Sequence, residues 1–282
     1  MLLLLLLAAW PRRKWLMRYY ALVESAGTKY RARTYFGSRI LCDLRDSIGQ
    51  RIFLFGRWEP SVSRGIESLL RRGDTFIDIG ANIGYDTLLG AHRVGAEGHV
   101  VAIEASPRIV PLLRDNLRTN GCRNVRVIEE AVSDGSGTLQ LYGGDQTNIG
   151  RTSTLHRAGL VPEDVVPARP LDALLTGEEL RNARLIKIDI EGGEGAVLSR
   201  FVQTLDLYHP DVKLIVEMSP ADGGDLLGSV FDRLIASGFR AYAIENVYDL
   251  LAYLPARVVW PPVEVRCLPE KQTDILFARG SL

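Results

Sequence analysis

The chain has 282 residues, of which 46% are hydrophobic and 24% charged, and this composition is typical of a globular protein rather than a disordered one. Its 34 basic and 34 acidic residues cancel to a formal net charge of zero, so no overall field draws it to nucleic acid or to anionic lipid. The cysteines, Cys42, Cys122 and Cys267, are odd in number and far apart. This pattern favours a reducing, cytoplasmic compartment and argues against a disulfide framework or a zinc cluster.

Residues 2–10 are apolar, but nine residues are too few to span a bilayer, which needs a helix of about 20. The positive charges at residues 12–14 follow this run, whereas a secretory signal carries them in front of it. We therefore predict no stable membrane span. Two readings stay open, a stretch that rests in a membrane interface and a true start at Met17. We divide the chain into a leader (1–16), a β-rich extension with a helix (17–72) and a main domain (73–282).

Short alternating patterns in the extension predict strands over residues 39–44 and 51–55, and a helix is predicted over 62–71. In the main domain, strand-like and helix-like segments alternate, which predicts a mostly parallel sheet with helices on both faces. The last two predicted strands, 239–244 and 273–278, are joined without a helix and could pair as an antiparallel edge. Residues 147–170 are rich in Gly, Thr, Ser and Pro and are predicted to form a long lid or substrate loop.

The first strand of the main domain runs into a glycine-punctuated turn that reads Asp78-x-Gly80-x-x-x-Gly84. Gly80 lets the backbone turn sharply and lets a ligand lie against it, and Gly84 leads into a helix whose first amides favour electron-rich ligand atoms. Both glycines are predicted to bind the cofactor. A dinucleotide fingerprint would have a second glycine two positions after the first, and a carboxylate at Asp78 would repel a pyrophosphate. S-adenosylmethionine fits better, because it carries an ammonium and a sulfonium but no phosphate. The alternative is an ordinary glycine turn after a buried strand.

Two further strand ends add candidate ligands to the same crevice. Glu104 ends the apolar run 99–103, and an acid at the second strand's tip typically accepts hydrogen bonds from ribose hydroxyls. Glu104 is therefore predicted to bind the ribose, although it could instead cap the helix that comes next. Ala131, Val132 and Ser133 come after the third strand, and we expect them beside the adenine ring.

The fourth strand ends in Lys187-Ile188-Asp189-Ile190-Glu191-Gly192. Asp189 and Glu191 can face one side only if the chain has already turned at Glu191. A carboxylate here could accept a proton from an attacking hydroxyl, orient the acceptor, or bind a divalent metal. No metal site is predicted, because no third carboxylate or histidine is adjacent. The plainer alternative is that Asp189 only caps the next helix.

Taken together, these motifs resemble the FkbM family of S-adenosylmethionine-dependent methyltransferases. The resemblance covers residues 58–205 well and extends more loosely to 277. It rests on motifs that match in order: Gly56-x-Trp58-Glu59, residues 73–85, Glu104-Ala105-Ser106-Pro107, Asn116, residues 131–134, Asn148-x-Gly150-x-x-Ser153, Leu171-Asp172-x-Leu174-Leu175 and residues 187–192. The chain departs from it at Ala105-Ser106, where many relatives have proline directly after the glutamate, and at Gly193.

The resemblance implies a class I methyltransferase fold, Rossmann-like, with seven strands, and makes 73–282 the methyltransferase domain. It implies that S-adenosylmethionine is held by Asp78, Gly80, Asn82, Glu104 and Ser133. It also implies that Asn148, Ser153 and Asp189 face the acceptor, with Asp189 as the catalytic residue. Glu191 is a further candidate for contact with the acceptor. The expected partner is a small molecule with a hydroxyl group, of sugar or polyketide type, and not nucleic acid. The alternatives are a nicotinamide-dependent oxidoreductase and a binding protein without turnover.

Overall fold

The structure is a computed structural model that describes residues 29–143, 152–154, 160–245, 253 and 260–280. The leader and Asn148 lie outside the described residues. The strands, in chain order, are β1 (Lys29–Arg33), β2 (Arg39–Asp43), β3 (Thr75–Ile79), β4 (His99–Ile103), β5 (Val125–Ile128), β6 (Ala131–Val132), β7 (Gly137–Gly143), β8 (Thr152–Ser153), β9 (Val161–Arg169), β10 (Ala183–Ile188), β11 (Lys213–Met218), β12 (Arg240–Ile244), β13 (Val263–Val265) and β14 (Thr273–Ala278).

The helices are α1 (Ser47–Phe55), α2 (Pro60–Leu69), α3 (Tyr85–Val94), α4 (Val110–Thr119), α5 (Leu171–Leu174), α6 (Gly177–Asn182), α7 (Glu194–Gln203) and α8 (Pro220–Ala236), with a 3₁₀ turn at Leu205–Leu207. Within the described residues, none of these helices has the length and apolar character that a bilayer span requires.

The central sheet has the strand order β13-β12-β14-β11-β10-β3-β4-β5. The five strands from β11 to β5 are parallel. β14 runs antiparallel to β11, and β12 pairs antiparallel with β14 and so has the same direction as the five. Both the mostly parallel sheet and the antiparallel pairing of the last two predicted strands are confirmed. The described sheet has eight strands rather than seven, because the short β13 pairs with β12 at the edge.

Helices cover both faces of this sheet, as predicted. Alternate residues of β3 show this directly, because Ile77 and Ile79 pack in one apolar cluster with α7 and α8, whereas Phe76 packs in another with Ile66 of α2 and Leu89 of α3. Side chains of a strand alternate between the two faces. Asp78 therefore shares the face of Phe76, the one covered by α2 and α3.

Polar residues continue along that α2–α3 face at the carboxyl ends of the strands. Lys187 lies directly opposite Asp78 on the neighbouring strand, and Glu217 lies opposite Asp274. In β10 and β14, the apolar residues two positions away, Leu185 and Leu276, belong to the same cluster as Phe76. These four polar side chains thus share one face of the sheet.

The prediction of a strand over residues 51–55 is wrong, since this segment is the second half of α1. Ile48, Ile52 and Phe53 pack in one apolar cluster, and the spacing of four between Ile48 and Ile52 is that of a helix. The helix ends where Gly56 adopts a left-handed conformation and donates its N–H to the Ile52 carbonyl at 2.8 Å. The predicted strand at 39–44 and helix at 62–71 correspond to β2 and α2.

The prediction of an irregular loop over 147–170 is also wrong for its second half. β9 pairs antiparallel with β7 in a separate four-stranded sheet of order β6-β9-β7-β8. Only one side of β9 is covered: Val166 and Ala168 are buried, while Val161 and Val165 are exposed. A half-exposed strand with prolines at positions 162 and 167 lacks the apolar run that marks a core strand.

Asn116 of α4 joins the N-terminal hairpin to the glycine turn. It is fully buried, its Oδ1 accepts a hydrogen bond from the Leu41 N–H at 2.7 Å, and its Nδ2 donates to the Ile83 carbonyl at 2.8 Å. One side chain therefore satisfies backbone groups in two separate parts of the chain.

We expect Asn116→Leu to destabilise the protein by about 2–6 kcal/mol, because it leaves two buried backbone groups without partners at roughly 1–3 kcal/mol each. Urea denaturation measures the change in the free energy of unfolding. The matched control is Arg118→Ala on the same helix, whose side chain is 80% exposed and whose loss should change stability by less than about 0.5 kcal/mol. Equal midpoints for the two variants would contradict this role of Asn116.

Candidate active site

A cavity of about 410 Å³ opens at the carboxyl ends of the parallel strands. Its walls come from the segments after those strands and from the end of β11, with Gly80 after β3, Glu104 after β4, Asp189 after β10 and Glu217 in β11. This is the edge at which open α/β sheets bind ligands.

Gly80 brings two walls of the cavity together. Its φ is +81°, and a Cβ added there would lie 1.8 Å from the carbonyl oxygen of Asp189. The Asp189 N–H donates to the Ile79 carbonyl at 3.0 Å, so the turn after β3 and the turn after β10 are in direct contact. Glycine is required here by the neighbouring backbone as well as by the φ angle.

The backbone is strained around this cavity. Among the described residues, three other than glycine have positive φ: Glu59 (39°), Asn82 (48°) and Glu191 (51°), and all three line the cavity. Such conformations cost on the order of 1–3 kcal/mol each and cluster at functional sites. Glu191 comes after the end of β10, so the chain has turned and both Asp189 and Glu191 reach the cavity, as the motif required.

Glu104 lies at the cavity wall beside β4 and is 7% exposed. Its Oε2 accepts the Asn82 N–H at 2.8 Å, and its Oε1 accepts the Ser106 N–H at 2.9 Å. Burial raises the pKa of this carboxyl, and the backbone hydrogen bonds oppose that rise. The amides fix the carboxylate in place, and each oxygen keeps a lone pair with which to accept a further hydrogen bond.

Lys187 is 3% exposed and stands at the centre of several carboxylates. Its Nζ donates to Asp189 Oδ2 at 2.8 Å and lies 3.4 Å from Asp86 Oδ2. Burial alone would lower the pKa of Lys187, but the negative charges of Asp189, Asp86, Asp78 and Glu59 raise it well above its usual range. The lysine is therefore charged, and it links the end of β10 to the first turn of α3.

Several carboxyl groups around Lys187 hold protons more tightly than usual. Burial raises the pKa of Glu217 to about 9, assisted by the charges of Asp189 and Glu59. Burial also raises the pKa of Asp86 to about 7, against the opposing effect of Lys187. For Glu59, burial and then Asp274 raise the pKa well above its usual range. The positive charge of Lys187 therefore does not offset the effect of burial on the pKa of these acids.

Eight of the predicted site residues line the cavity: Gly80, Asn82, Glu104, Ala131, Val132, Ser153, Asp189 and Glu191. Asp78, Gly84 and Ser133 do not. Asp78 lies behind the wall with its Oδ2 accepting a hydrogen bond from Thr87 Oγ1 at 2.5 Å, and Ser133 donates its hydroxyl to the Gly135 carbonyl at 2.5 Å. A Cβ on Gly84 would meet Leu113 of α4 at 2.6 Å, so this glycine serves helix packing.

Sequence reasoning assigned no role to several residues that line the cavity: Arg51, Trp58, Asp86, Glu130, Lys187, Glu217 and Gln272. Glu217 carried a usable signal, because it sits near the end of an apolar strand just as Asp189 comes directly after one. Lys187 carried one too, since a lysine inside an apolar strand needs a buried anion. Arg51 and Trp58 reach the cavity through the fold of the extension, which no local pattern indicates.

The family model for the methyltransferase FkbM domain matches residues 78–249, more than half of the chain. Two curated relatives match shorter segments. The protein-L-isoaspartate O-methyltransferase of Ignicoccus hospitalis is 42% identical over 67 residues, 24% of this chain and 30% of the relative. The arsenite methyltransferase of Halobacterium salinarum is 36% identical over 53 residues, 19% of this chain and 14% of the relative. The matched segments thus span less than a third of either relative.

Among solved structures, a SAM-dependent O-methyltransferase from Thermotoga maritima is similar at a TM-score of 0.47 and 15% identity, covering 91% of this chain and 78% of that one. An O-methyltransferase from Bacillus cereus, solved in complex with SAH (S-adenosylhomocysteine), has a TM-score of 0.46 and 16% identity, covering 82% of this chain and 88% of that one.

We expect Gly80→Ala to weaken S-adenosylhomocysteine binding by more than tenfold, because the new Cβ would push the Asp189 backbone out of the cavity wall. Gly73→Ala is the matched control: its φ of +87° imposes a similar conformational cost, roughly 1–2 kcal/mol, but no atom lies within 4 Å of the added Cβ. Titration calorimetry gives the affinities, and urea denaturation gives the stabilities. If both variants bind as the wild type does, the contact with Asp189 does not shape the site.

Proposed function

The chain belongs to the FkbM family of S-adenosylmethionine-dependent methyltransferases, and we propose that it methylates a hydroxyl oxygen of a small-molecule acceptor. The family match favours this activity over a nicotinamide-dependent oxidoreductase. The observation that carries the proposal is the position of Asp189. This residue lines the cavity, and its side chain accepts a hydrogen bond from the buried Lys187. Its backbone packs directly against Gly80 in the glycine turn.

One end of the cavity suits the adenosine half of the cofactor. Glu104 has oxygens directed by backbone amides and can accept hydrogen bonds from ribose hydroxyls. Ala131, Val132 and Ile109 add apolar surface for a flat ring on the β4–β5 side. Gly80 presents bare backbone between this end and Asp189, with no Cβ to fill the space.

The other end suits the methionine half, which carries an ammonium, a sulfonium and a carboxylate. Asp86 lines the cavity and is 6% exposed, and its Oδ1 has no hydrogen-bond partner among the described residues. An orphaned buried carboxylate oxygen is costly, and a cationic group of the ligand would satisfy it. Arg51 also lines the cavity and would suit the carboxylate of the cofactor.

S-adenosylmethionine, when bound, supplies an electrophilic methyl group on its sulfonium. Asp189 accepts the proton of the acceptor hydroxyl while the hydroxyl oxygen forms its new bond to the methyl carbon. Asp189 also orients that hydroxyl oxygen. The Lys187 ammonium donates to Oδ2 of Asp189 at 2.8 Å, and this contact fixes the carboxylate through that oxygen. General-base assistance typically contributes ~10²–10⁴-fold, and orientation can supply roughly 7–11 kcal/mol, so holding the nucleophile in place is the larger effect.

The direct test is to incubate the protein with methyl-labelled S-adenosylmethionine and a cell extract that has been separated into small molecules, protein and RNA. We expect label in the small-molecule fraction, on oxygen, and none with heat-inactivated protein. Label that appears only in the protein or RNA fraction would contradict the proposed acceptor class.

We expect Glu104→Gln to weaken S-adenosylhomocysteine binding by tenfold or more, since a charged hydrogen-bond partner is worth roughly 1.5–3 kcal/mol. Titration calorimetry measures the affinity. Glu129→Gln is the control, because its side chain is half exposed, pairs with Arg114 and does not line the cavity. A titration curve for Glu104→Gln that overlays the control would remove this residue from the cofactor site.

We expect Asp189→Asn to lower turnover about 100-fold or more while S-adenosylhomocysteine affinity changes less than about threefold, because the amide cannot take the hydroxyl proton. Steady-state kinetics on the labelled acceptor and calorimetry separate the two effects. Normal turnover would show that Asp189 is not the proton acceptor.

A further inference from the structure

The N-terminal hairpin of β1 and β2 has one apolar side and one positively charged side. Its inward residues Ala32, Ile40 and Cys42 are buried in the apolar cluster that also contains residues of α1. Because side chains alternate along a strand, the residues between them point outward. Four exposed cations lie on this outward side: Lys29, Arg31, Arg33 and Arg39. We call it the basic face.

Two carboxylates lie beside the basic face, and each of them also binds an arginine outside it. Asp43, at the end of β2, accepts hydrogen bonds from Arg45 on both oxygens, at 3.0 and 2.6 Å. Asp115 of α4 accepts one from Arg31 at 2.8 Å and one from Arg118 at 2.5 Å. The basic face and these neighbours thus combine six cations with two carboxylates.

The strongest repulsion within the basic face is between Arg33 and Arg39. These two residues lie directly opposite each other across the hairpin, where like charges destabilise the pairing of two strands. Among the residues that the structure describes, no carboxylate forms an ion pair with either of them. Water and salt only screen this repulsion, whereas an anionic partner would offset it.

The zero net charge of the whole chain hides this local excess. At physiological ionic strength the Debye length is about 8 Å, so a partner at the basic face interacts with the charges near it and hardly with those across the molecule. A neutral protein can therefore be drawn to an anionic surface by one side.

The sequence that precedes β1 indicates which kind of anionic surface this is. The described chain begins at Lys29, so residues 1–28 lead directly into the basic face. Residues 2–10 are apolar, and residues 11–28 contain four basic residues and a single acid, Glu24. The aromatic residues of this segment are Trp10, Trp15, Tyr19 and Tyr20. Trp and Tyr are enriched where a membrane meets water, and basic clusters next to apolar segments bind anionic headgroups. Nucleic acid offers no apolar phase for residues 2–10.

We propose that the protein docks on an anionic lipid surface through the basic face, and that the apolar residues 2–10 enter the lipid interface beside it. A short apolar segment alone binds a membrane weakly and reversibly, and a basic patch supplies the second signal that stable attachment requires. The attachment is peripheral, since nine residues are too few to cross a bilayer. It concerns where the protein works and does not depend on which acceptor it methylates.

The test is flotation of the full chain with vesicles of phosphatidylcholine alone and with vesicles that contain about one-third phosphatidylglycerol. At about 0.1 M salt, we expect at least about tenfold more protein on the anionic vesicles, and we expect about 0.5 M salt to release most of it because the Debye length shortens. Equal binding to the two kinds of vesicle, or binding to neither, would overturn the proposal.

The double variant Arg33→Gln with Arg39→Gln should bind anionic vesicles at least about tenfold more weakly, because each basic residue near such a surface contributes a factor of about five. Arg240→Gln with Arg266→Gln is the matched control, since it removes the same charge at the opposite edge of the central sheet. Both variants should keep the S-adenosylhomocysteine affinity of the wild type, which shows that they are folded. If the first variant floats as well as the control, the basic face does not dock on lipid.

A variant in the apolar segment separates lipid from nucleic acid. Leu4→Ser with Leu6→Ser should bind the anionic vesicles at least about fivefold more weakly, because less apolar surface enters the interface. Vesicle binding that this variant leaves unchanged would contradict the role of residues 2–10. Tighter binding to total RNA than to the vesicles, lost in the Arg33 and Arg39 variant but not in this one, would assign the basic face to nucleic acid instead.

Discussion

The buried ammonium of Lys187 is the interaction on which the rest of the site depends. Burying an ion costs several kcal/mol, and here the cost is offset by contacts to Asp189 at 2.8 Å and Asp86 at 3.4 Å. Asp189 comes directly after β10, and Asp86 lies in the first turn of α3, so one cation joins two walls of the cavity. The position of the proposed proton acceptor is therefore tied to the same helix that begins after the glycine turn.

Much of this arrangement could be predicted from the sequence, because parallel strands end at one edge and polar residues at their ends meet there. Gly80, Glu104 and Asp189 were found in this way. Lys187 and Glu217 were not, because that rule applies to residues beyond the end of a strand and these two lie inside β10 and β11. The alternation of side chains within each strand is consistent with a place on the face of Asp78. However, which strands lie side by side is known only once the fold is known.

Two secondary-structure predictions differ from the structure because a short stretch of sequence is ambiguous. Residues 51–55 alternate over too few positions to distinguish a strand from half of α1, and only the longer spacing from Ile48 to Ile52 identifies the helix. Only one side of β9 is covered, and the two prolines in its sequence are more typical of a loop than of a strand. Asp78 and Ser133 have the right neighbours in sequence, but their side chains turn to Thr87 and to the Gly135 carbonyl, and local geometry of this kind leaves no pattern.

Charge and strain occupy the same small region, and each helps to explain the other. Positive φ at Glu59 and Glu191 accompanies two carboxylates in the cavity wall, where a relaxed backbone would carry their side chains in other directions. The acids in turn raise one another's pKa, so the site without ligand combines conformational strain with unfavourable electrostatics. The electrostatic cost falls when a cation lies between the acids. A site built in this way favours cationic ligands, and this suits S-adenosylmethionine, which carries both a sulfonium and an ammonium.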